Sequence, residues 1–99
     1  MPSLSERFDA CSASYGKFED IPEAQRPSTR PDLCAFLKLE VLAPGEPGRE
    51  MLASAEHDVV YLDTDVEVLQ QTASDEDIVY LSQCGVGYSD EFDCLYMFV

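Results

Sequence analysis

The sequence predicts an α+β fold, in which a small antiparallel sheet of about three strands has helices packed on one face. The first half of the chain shows helical spacing of apolar residues. Residues 74–99 have the pattern of a capped helix, a glycine stop and two strands around an acidic turn. The chain has 99 residues, of which 45% are hydrophobic, so we expect one domain, 1–99, with a modest core.

Two helices are predicted in the first half. Ser3 and Glu6 have the spacing of a capping box, and an apolar face follows, which predicts a helix over 3–14. That face consists of Leu4, Phe8, Cys11 and Tyr15. Pro at the first helical position, Pro31, favours a second helix over 31–42, although apolar residues also alternate there as in a strand.

The second half is predicted to continue as β-α-α-β-β. Residues 51–62 turn to strand, and a capping box at Thr64 and Glu67 begins a helix. Ser74 begins the next helix, which Gly85 ends. Residues 86–88 and 94–99 form the last two strands. Because residues 95–99 are apolar on both sides, we expect this strand in the centre of the sheet.

Charge is the unusual property of this chain. Twenty acidic residues against six basic ones give a net charge of −14, and no Lys or Arg occurs from residue 50 to 99. Such a charge repels phosphate, so direct binding to nucleic acid or to an anionic membrane is not expected. No signal-peptide pattern and no membrane-spanning apolar run is present, so we expect a cytoplasmic protein with reduced cysteines.

Nine acidic residues form three clusters at predicted helix starts and at the last turn. They are interpreted either as solvated caps and turns or as a negative surface that binds a basic partner. Ordinary surfaces mix charges of both signs, which favours the second interpretation. The predicted partner-binding residues are Asp63, Asp65, Glu67, Asp75, Glu76, Asp77, Asp90, Glu91 and Asp93.

Candidate catalytic and metal sites are weak. Asp63, Asp65 and Glu67 resemble the start of a calcium loop, but the glycine and the closing glutamate of that motif are missing, so helix capping is the better interpretation. His57 is the single histidine and has no ligand spacing around it. Cys84 is predicted at a helix C-terminus in a tract without Lys or Arg, and neither feature activates a thiol. We therefore expect no enzyme activity, no metal and no cofactor.

Three segments carry a resemblance to a known group of proteins. They are Arg30–Leu33, Ala55–Asp58 and the ending, in which Cys84–Tyr88 and Leu95–Val99 carry the likeness. In these segments the chain resembles small acidic proteins encoded by bacteriophages and prophages. The resemblance implies a setting in which a compact protein binds and disables a host enzyme, and it implies no catalytic residues.

These observations give two expectations for function. The first is a protein that binds a basic host protein through its negative face and inhibits a nucleic-acid-binding host factor. The alternative is a structural or assembly subunit that forms a homodimer or larger species through the C-terminal strand, residues 95–99.

Overall fold

The computed structural model describes residues 3–12, 18–56 and 58–98. The described helices are α1 (Leu4–Ser12), α2 (Pro31–Leu42), α3 (Val66–Thr72) and α4 (Asp75–Gln83). The strands are β1 (Leu52–Glu56), β2 (Val59–Leu62), β3 (Val86–Ser89) and β4 (Cys94–Phe98). Two short 3₁₀ helices, Phe18–Asp20 and Glu23–Gln25, connect α1 to α2.

The predicted α+β class with an antiparallel sheet is confirmed. The sheet order is β1-β2-β4-β3, and all neighbouring strands are antiparallel. The sheet has four strands where the sequence predicted about three, because residues 51–62 do not form one strand. They form the hairpin of β1 and β2.

The last strand lies inside the sheet, as its apolar character predicted. β4 is hydrogen-bonded to β2 on one side and to β3 on the other. Both of its backbone edges are therefore occupied, and the free edges of the sheet belong to β1 and β3.

One face of the sheet forms the core with the helices. The residues on this face of β2, β3 and β4 that are buried are Val60, Leu62, Val86, Leu95 and Met97. They pack with the buried residues of the four helices, among them Phe8, Leu39, Leu69, Ile78 and Leu81. The opposite face has no helix against it in the described part of the chain, since its side chains are partly or fully exposed.

Helix starts follow the sequence signals closely. α2 begins at Pro31, as predicted, and the hydroxyl of Ser3 accepts a hydrogen bond from the backbone N–H of Glu6 at the start of α1. α4 begins with a reciprocal capping box between Ser74 and Asp77. Only α3 differs, since its N-cap is Asp65 rather than Thr64. The predicted helix end at Gly16 lies outside the described residues, as do Tyr15 and Val99.

Candidate functional site

Three of the nine predicted binding residues are ion-paired with bases from the first half of the chain. The carboxylate of Asp63 lies 2.7 Å from Arg49, that of Asp75 lies 3.4 Å from Arg7, and that of Asp77 lies 3.0 Å from Lys38. Among the described residues, no ion pair joins the other six to a Lys or Arg. The described bases thus reduce the negative charge at three of the nine predicted positions and leave it uncompensated at the six others, Asp65, Glu67, Glu76, Asp90, Glu91 and Asp93.

Asp77 is held by the structure of α4 itself. Its carboxylate accepts the backbone N–H of Ser74, while the Ser74 hydroxyl accepts the N–H of Asp77. Partial burial opposes ionisation of this carboxyl, but the hydrogen bonds from Ser74 and Lys38 outweigh it and lower the pKa of Asp77. This carboxylate is therefore a helix cap, and it contributes little free charge to a binding surface.

Asp65 has a cap role as well, but its charge is not paired with a described base. Its side chain accepts the backbone N–H groups of Glu67 and Val68 at the start of α3. Neighbouring Asp63 binds Arg49 instead of a helix end. Because both carboxylates have these local partners, the calcium-loop resemblance is explained by local structure. No group of His, Cys, Asp or Glu within the described residues has a geometry that would hold a metal ion.

The first and third acidic clusters meet across a cleft. The cleft has a volume of about 410 Å³ and is lined by the start of α1, by α3 and by the β3–β4 turn. Glu67 of α3 and Asp93 of the turn both line it. The hydroxyl of Ser5 on α1 donates to Asp90 at 3.0 Å, which fixes the turn against the helix. The tertiary structure therefore brings together two clusters that lie far apart in sequence.

The β3–β4 turn has a defined conformation. Asp93 has a positive φ of 51°, a region that Asp tolerates better than most residues. Its carboxylate accepts a hydrogen bond from the hydroxyl of Tyr88, and the backbone N–H of Phe92 donates to the hydroxyl of Ser89. The carboxylates of this turn are thus presented on a structured loop.

The second cluster lies apart from this cleft. Asp75, Glu76 and Asp77 are at the start of α4, which follows the C-terminal end of α3. Asp65 and Glu67 are at the opposite end of α3, and a helix of seven residues is about 10 Å long. The nine predicted residues therefore do not form one continuous cluster. Glu67 and Asp93 line the cleft, Asp65 lies beside Glu67 at the start of α3, and Asp90 and Glu91 lie in the β3–β4 turn.

The thiol of Cys84 is in a position that disfavours reactivity. Cys84 is buried at the C-terminal end of α4, and burial, followed by the nearby Cys34, raises its pKa to about 12. It is therefore protonated at neutral pH. Cys34, Cys84 and Cys94 are all free thiols. His57, the other residue considered for catalysis, lies outside the described residues.

The outward face of the sheet is an exposed feature that the sequence pattern did not predict. Aromatic side chains of β2, β4 and the β3–β4 turn lie together on it: Tyr61, Phe92, Tyr96 and Phe98. The sequence of β4 carries a signal for this surface, since successive side chains of a strand point to opposite faces and residues 94–98 are apolar on both. That pattern predicts burial on both sides, whereas Phe98 is 68% exposed and Phe92, in the adjoining turn, is 54% exposed.

None of the described helices combines the length and the apolar character that crossing a membrane requires. No protein-family model matches the chain, and the comparisons with curated proteins and with solved structures find no match. The assignment of a function therefore depends on the chemistry of the surface alone.

Proposed function

We propose that this protein is a binding module that docks on a basic surface of another protein, and that it does so through carboxylates at the start of α3 and in the β3–β4 turn, two segments that meet at the cleft. These carboxylates are Asp65, Glu67, Asp90, Glu91 and Asp93, which we call the acidic surface. The observation that carries the proposal is that these five have no basic partner among the described residues and come from two segments that share one cleft.

The electrostatics favour association with a positive partner over other roles. Like charges on one surface repel each other, and over distances below about 8 Å this repulsion persists at physiological salt. The repulsion is relieved when a positive surface binds, so association is favoured and steered. A basic surface that otherwise holds a phosphate backbone has the matching charge. The protein would then compete with nucleic acid for that surface, in line with the inhibitor role that the phage resemblance implies.

Isosteric amide substitutions test this proposal without removing local structure. In the variant D65N/E67Q/D90N/E91Q/D93N, the new amide at position 65 still caps α3, since Asn is as good an N-cap as Asp. Asn also tolerates the positive φ of position 93. The matched control, E19Q/E23Q/D32N/E40Q/E46Q, removes the same charge from five exposed residues of the first half.

The experiment is capture from a bacterial lysate by the immobilised protein. We expect the natural protein and the control to retain a basic protein that duplex DNA displaces and that elutes as salt rises from about 0.05 to about 0.2 M. At about 0.5 kcal/mol for each exposed carboxylate, the five substitutions amount to roughly 2.5 kcal/mol, or about sixtyfold in affinity. Equal capture by the variant and the natural protein, or the absence of any basic protein, would exclude the proposal.

Self-association through the last strand, the alternative from the sequence, has less support. Both edges of β4 are paired within the sheet, so two copies cannot join through its backbone. A dimer would have to use the outward side chains Tyr96 and Phe98. It would also bring the carboxylates beside that face, Glu56 and Glu91, towards their counterparts in the second copy.

A further inference from the structure

The outward face of the sheet is a preformed aromatic surface. Cross-strand pairing places Tyr61 opposite Tyr96, and Val59 opposite Phe98, on the side away from the core. The rings of Tyr61 and Phe92 are 5.2 Å apart, and those of Tyr96 and Phe98 are 5.4 Å apart, both edge to face. We call Tyr61, Phe92, Tyr96 and Phe98 the aromatic face.

Gly87 of β3 leaves room for the Tyr96 ring on this face. A Cβ atom at Gly87, the cross-strand neighbour of Tyr96, would lie 2.6 Å from the Tyr96 ring. The ring therefore lies over the backbone of Gly87, where only glycine leaves room for it. The Tyr96 ring thus packs against the sheet backbone and remains half-buried, with the Phe98 ring edge to face beside it.

Carboxylates flank the aromatic face. Glu56 pairs with Val59 across β1 and β2 and so shares the outward face, and Glu91 precedes Phe92 in the β3–β4 turn. The pKa of the Tyr61 hydroxyl is raised, first because nearby groups exclude water from it and then by the charges of Glu56, Cys94 and Glu91. The geometry agrees, since Glu56 is paired with Val59 beside this face and Glu91 lines the same groove as Tyr61. A groove of about 340 Å³ runs here, lined by aromatic-face rings together with Asp90 and Glu91.

Aromatic rings beside uncompensated carboxylates match one ligand chemistry. A cation gains from the negative faces of the rings and from the carboxylates at once. Arg suits this better than Lys, because its guanidinium is planar, is less strongly hydrated and pairs with a carboxylate through two hydrogen bonds. The fold already uses such contacts internally, since the guanidinium of Arg26 lies 5.3 Å from the Phe18 ring centre.

We propose that the aromatic face binds an extended, arginine-bearing segment of the basic partner, with an arginine side chain over Tyr61 and Phe98 and its charge between Glu56 and Glu91. This inference rests on the proposed function and names where the partner contacts the protein. The β3–β4 turn contributes residues both to the acidic surface and to the aromatic face. A second copy of this chain is disfavoured by the same two glutamates. Single-stranded nucleic acid could stack on the rings, but its phosphates would meet these carboxylates.

The test is titration with defined probes, monitored by NMR of the backbone amides. The probes are an unstructured peptide of alternating Arg and Gly, the same peptide with Lys for Arg, the same peptide with neutral citrulline for Arg, and oligothymidylate. We expect the arginine peptide to shift the amides of β2, β4 and the turn and to bind about fivefold more tightly than the lysine peptide. Citrulline and oligothymidylate should not bind.

Three variants locate the contact. F92L/F98L keeps apolar side chains but removes two exposed rings, and should weaken arginine-peptide binding about fivefold or more. E56Q/E91Q should weaken it to a similar degree, while E19Q/E23Q, with the same charge change elsewhere, should not. G87A should displace the Tyr96 ring and weaken binding, whereas G45A, which has nothing within 4 Å of the new methyl group, should not.

The outcomes separate this inference from the proposed function. Equal binding of the arginine and lysine peptides, together with no effect of F92L/F98L, would overturn the aromatic contact. The acidic surface would still stand if its amide variant lost lysate capture. Three other outcomes would each overturn the inference. They are preferential binding of oligothymidylate over the arginine peptide, a stable dimer that F98L dissociates, and no peptide binding at low salt.

Discussion

Replacing Arg7 by Ala should destabilise the protein by about 3 kcal/mol. The Arg7 side chain is only 11% exposed and reaches from α1 to the end of α3. Its guanidinium donates to the carbonyl of Ala73 at 2.7 Å, to the carbonyl of Gln70 at 3.3 Å, and to the Gln70 side-chain oxygen at 2.9 Å. These carbonyls belong to the C-terminal end of α3, where helical carbonyls have no partner within the helix.

The magnitude follows from comparing these contacts. A hydrogen bond with a charged partner contributes about 1.5–3 kcal/mol, and unpaired carbonyls left behind add to the loss. By contrast, Asp75 is 96% exposed, so its ion pair with Arg7 contributes about 0.5 kcal/mol or less. A domain of this size has a total stability of about 5–15 kcal/mol, so R7A should remove a large part of it.

The assay is urea unfolding followed by far-ultraviolet circular dichroism, with the midpoint and slope compared among variants. D75N should cost about 0.5 kcal/mol, since only the exposed ion pair is lost. R7K should recover about half of the R7A loss, because an ammonium group cannot reach all three acceptors. R30A, which truncates an exposed arginine, serves as control and should change the free energy of unfolding by less than about 0.5 kcal/mol.

A loss of less than about 1 kcal/mol in R7A, or a loss in D75N as large as that in R7A, would contradict this prediction. Either result would mean that the carbonyl contacts at the end of α3 are not what Arg7 contributes. Since Arg7 links α1 to α3, its loss should also affect the cleft that Leu4 and Glu67 line. Chemical shifts of residues 65–71 in R7K would report this without unfolding the protein.

Two further predictions concern titrating groups. D77N should lower stability by about 1 kcal/mol at neutral pH, because the charged cap of α4 is lost. Because the pKa of Asp77 is lowered in the folded state, its contribution to stability is present above the ordinary value of 3.8 and disappears as pH falls through the folded pKa. The urea midpoints of D77N and the natural protein should therefore converge in acid, and a constant difference between them would contradict this. For Cys84, the folded pKa of about 12 lies above the ordinary 9.0, so stability is fully present below the ordinary value and falls between the two by about 1.4 kcal/mol per pH unit. C84A should cost about 1 kcal/mol of stability through a small cavity, yet its stability should fall less steeply with pH in this alkaline range. Identical slopes of stability against pH in C84A and the natural protein would show that Cys84 is not the titrating group.

The acidic surface and the aromatic face have different expected salt dependence. Exposed carboxylates act through long-range charge, which salt screens with a Debye length of about 8 Å at physiological ionic strength. Contacts of a guanidinium with aromatic rings are short-range and depend less on salt. A partner held by both should therefore lose association rate with added salt while keeping part of its affinity, and stopped-flow measurements with the arginine peptide would separate the two contributions.

Local sequence was enough to determine most of the elements and many of their ends. Pro31 begins α2 because the first N–H groups of a helix have no partner within the helix, and proline has no N–H to leave unpaired. Ser74 caps α4 because its hydroxyl accepts one of the unpaired backbone N–H groups at that helix start. Apolar periodicity also indicated the α+β class and the central place of β4. The same pattern predicted one strand over residues 51–62, because no Gly or Pro between Glu56 and Val59 marks the end of β1 and the start of β2.

Only the tertiary structure decided which charges remain free. Asp63, Asp75 and Asp77 look like their neighbours in the sequence, yet each lies beside a base that the first half of the chain supplies. The meeting of Glu67 and Asp93 across one cleft likewise depends on how α3 packs beside the β3–β4 turn. The sequence by itself determined how much negative charge this protein carries, since composition needs no geometry. Where that charge is exposed depends on distances of a few ångströms between segments far apart in the chain, and these exist only once the chain has folded.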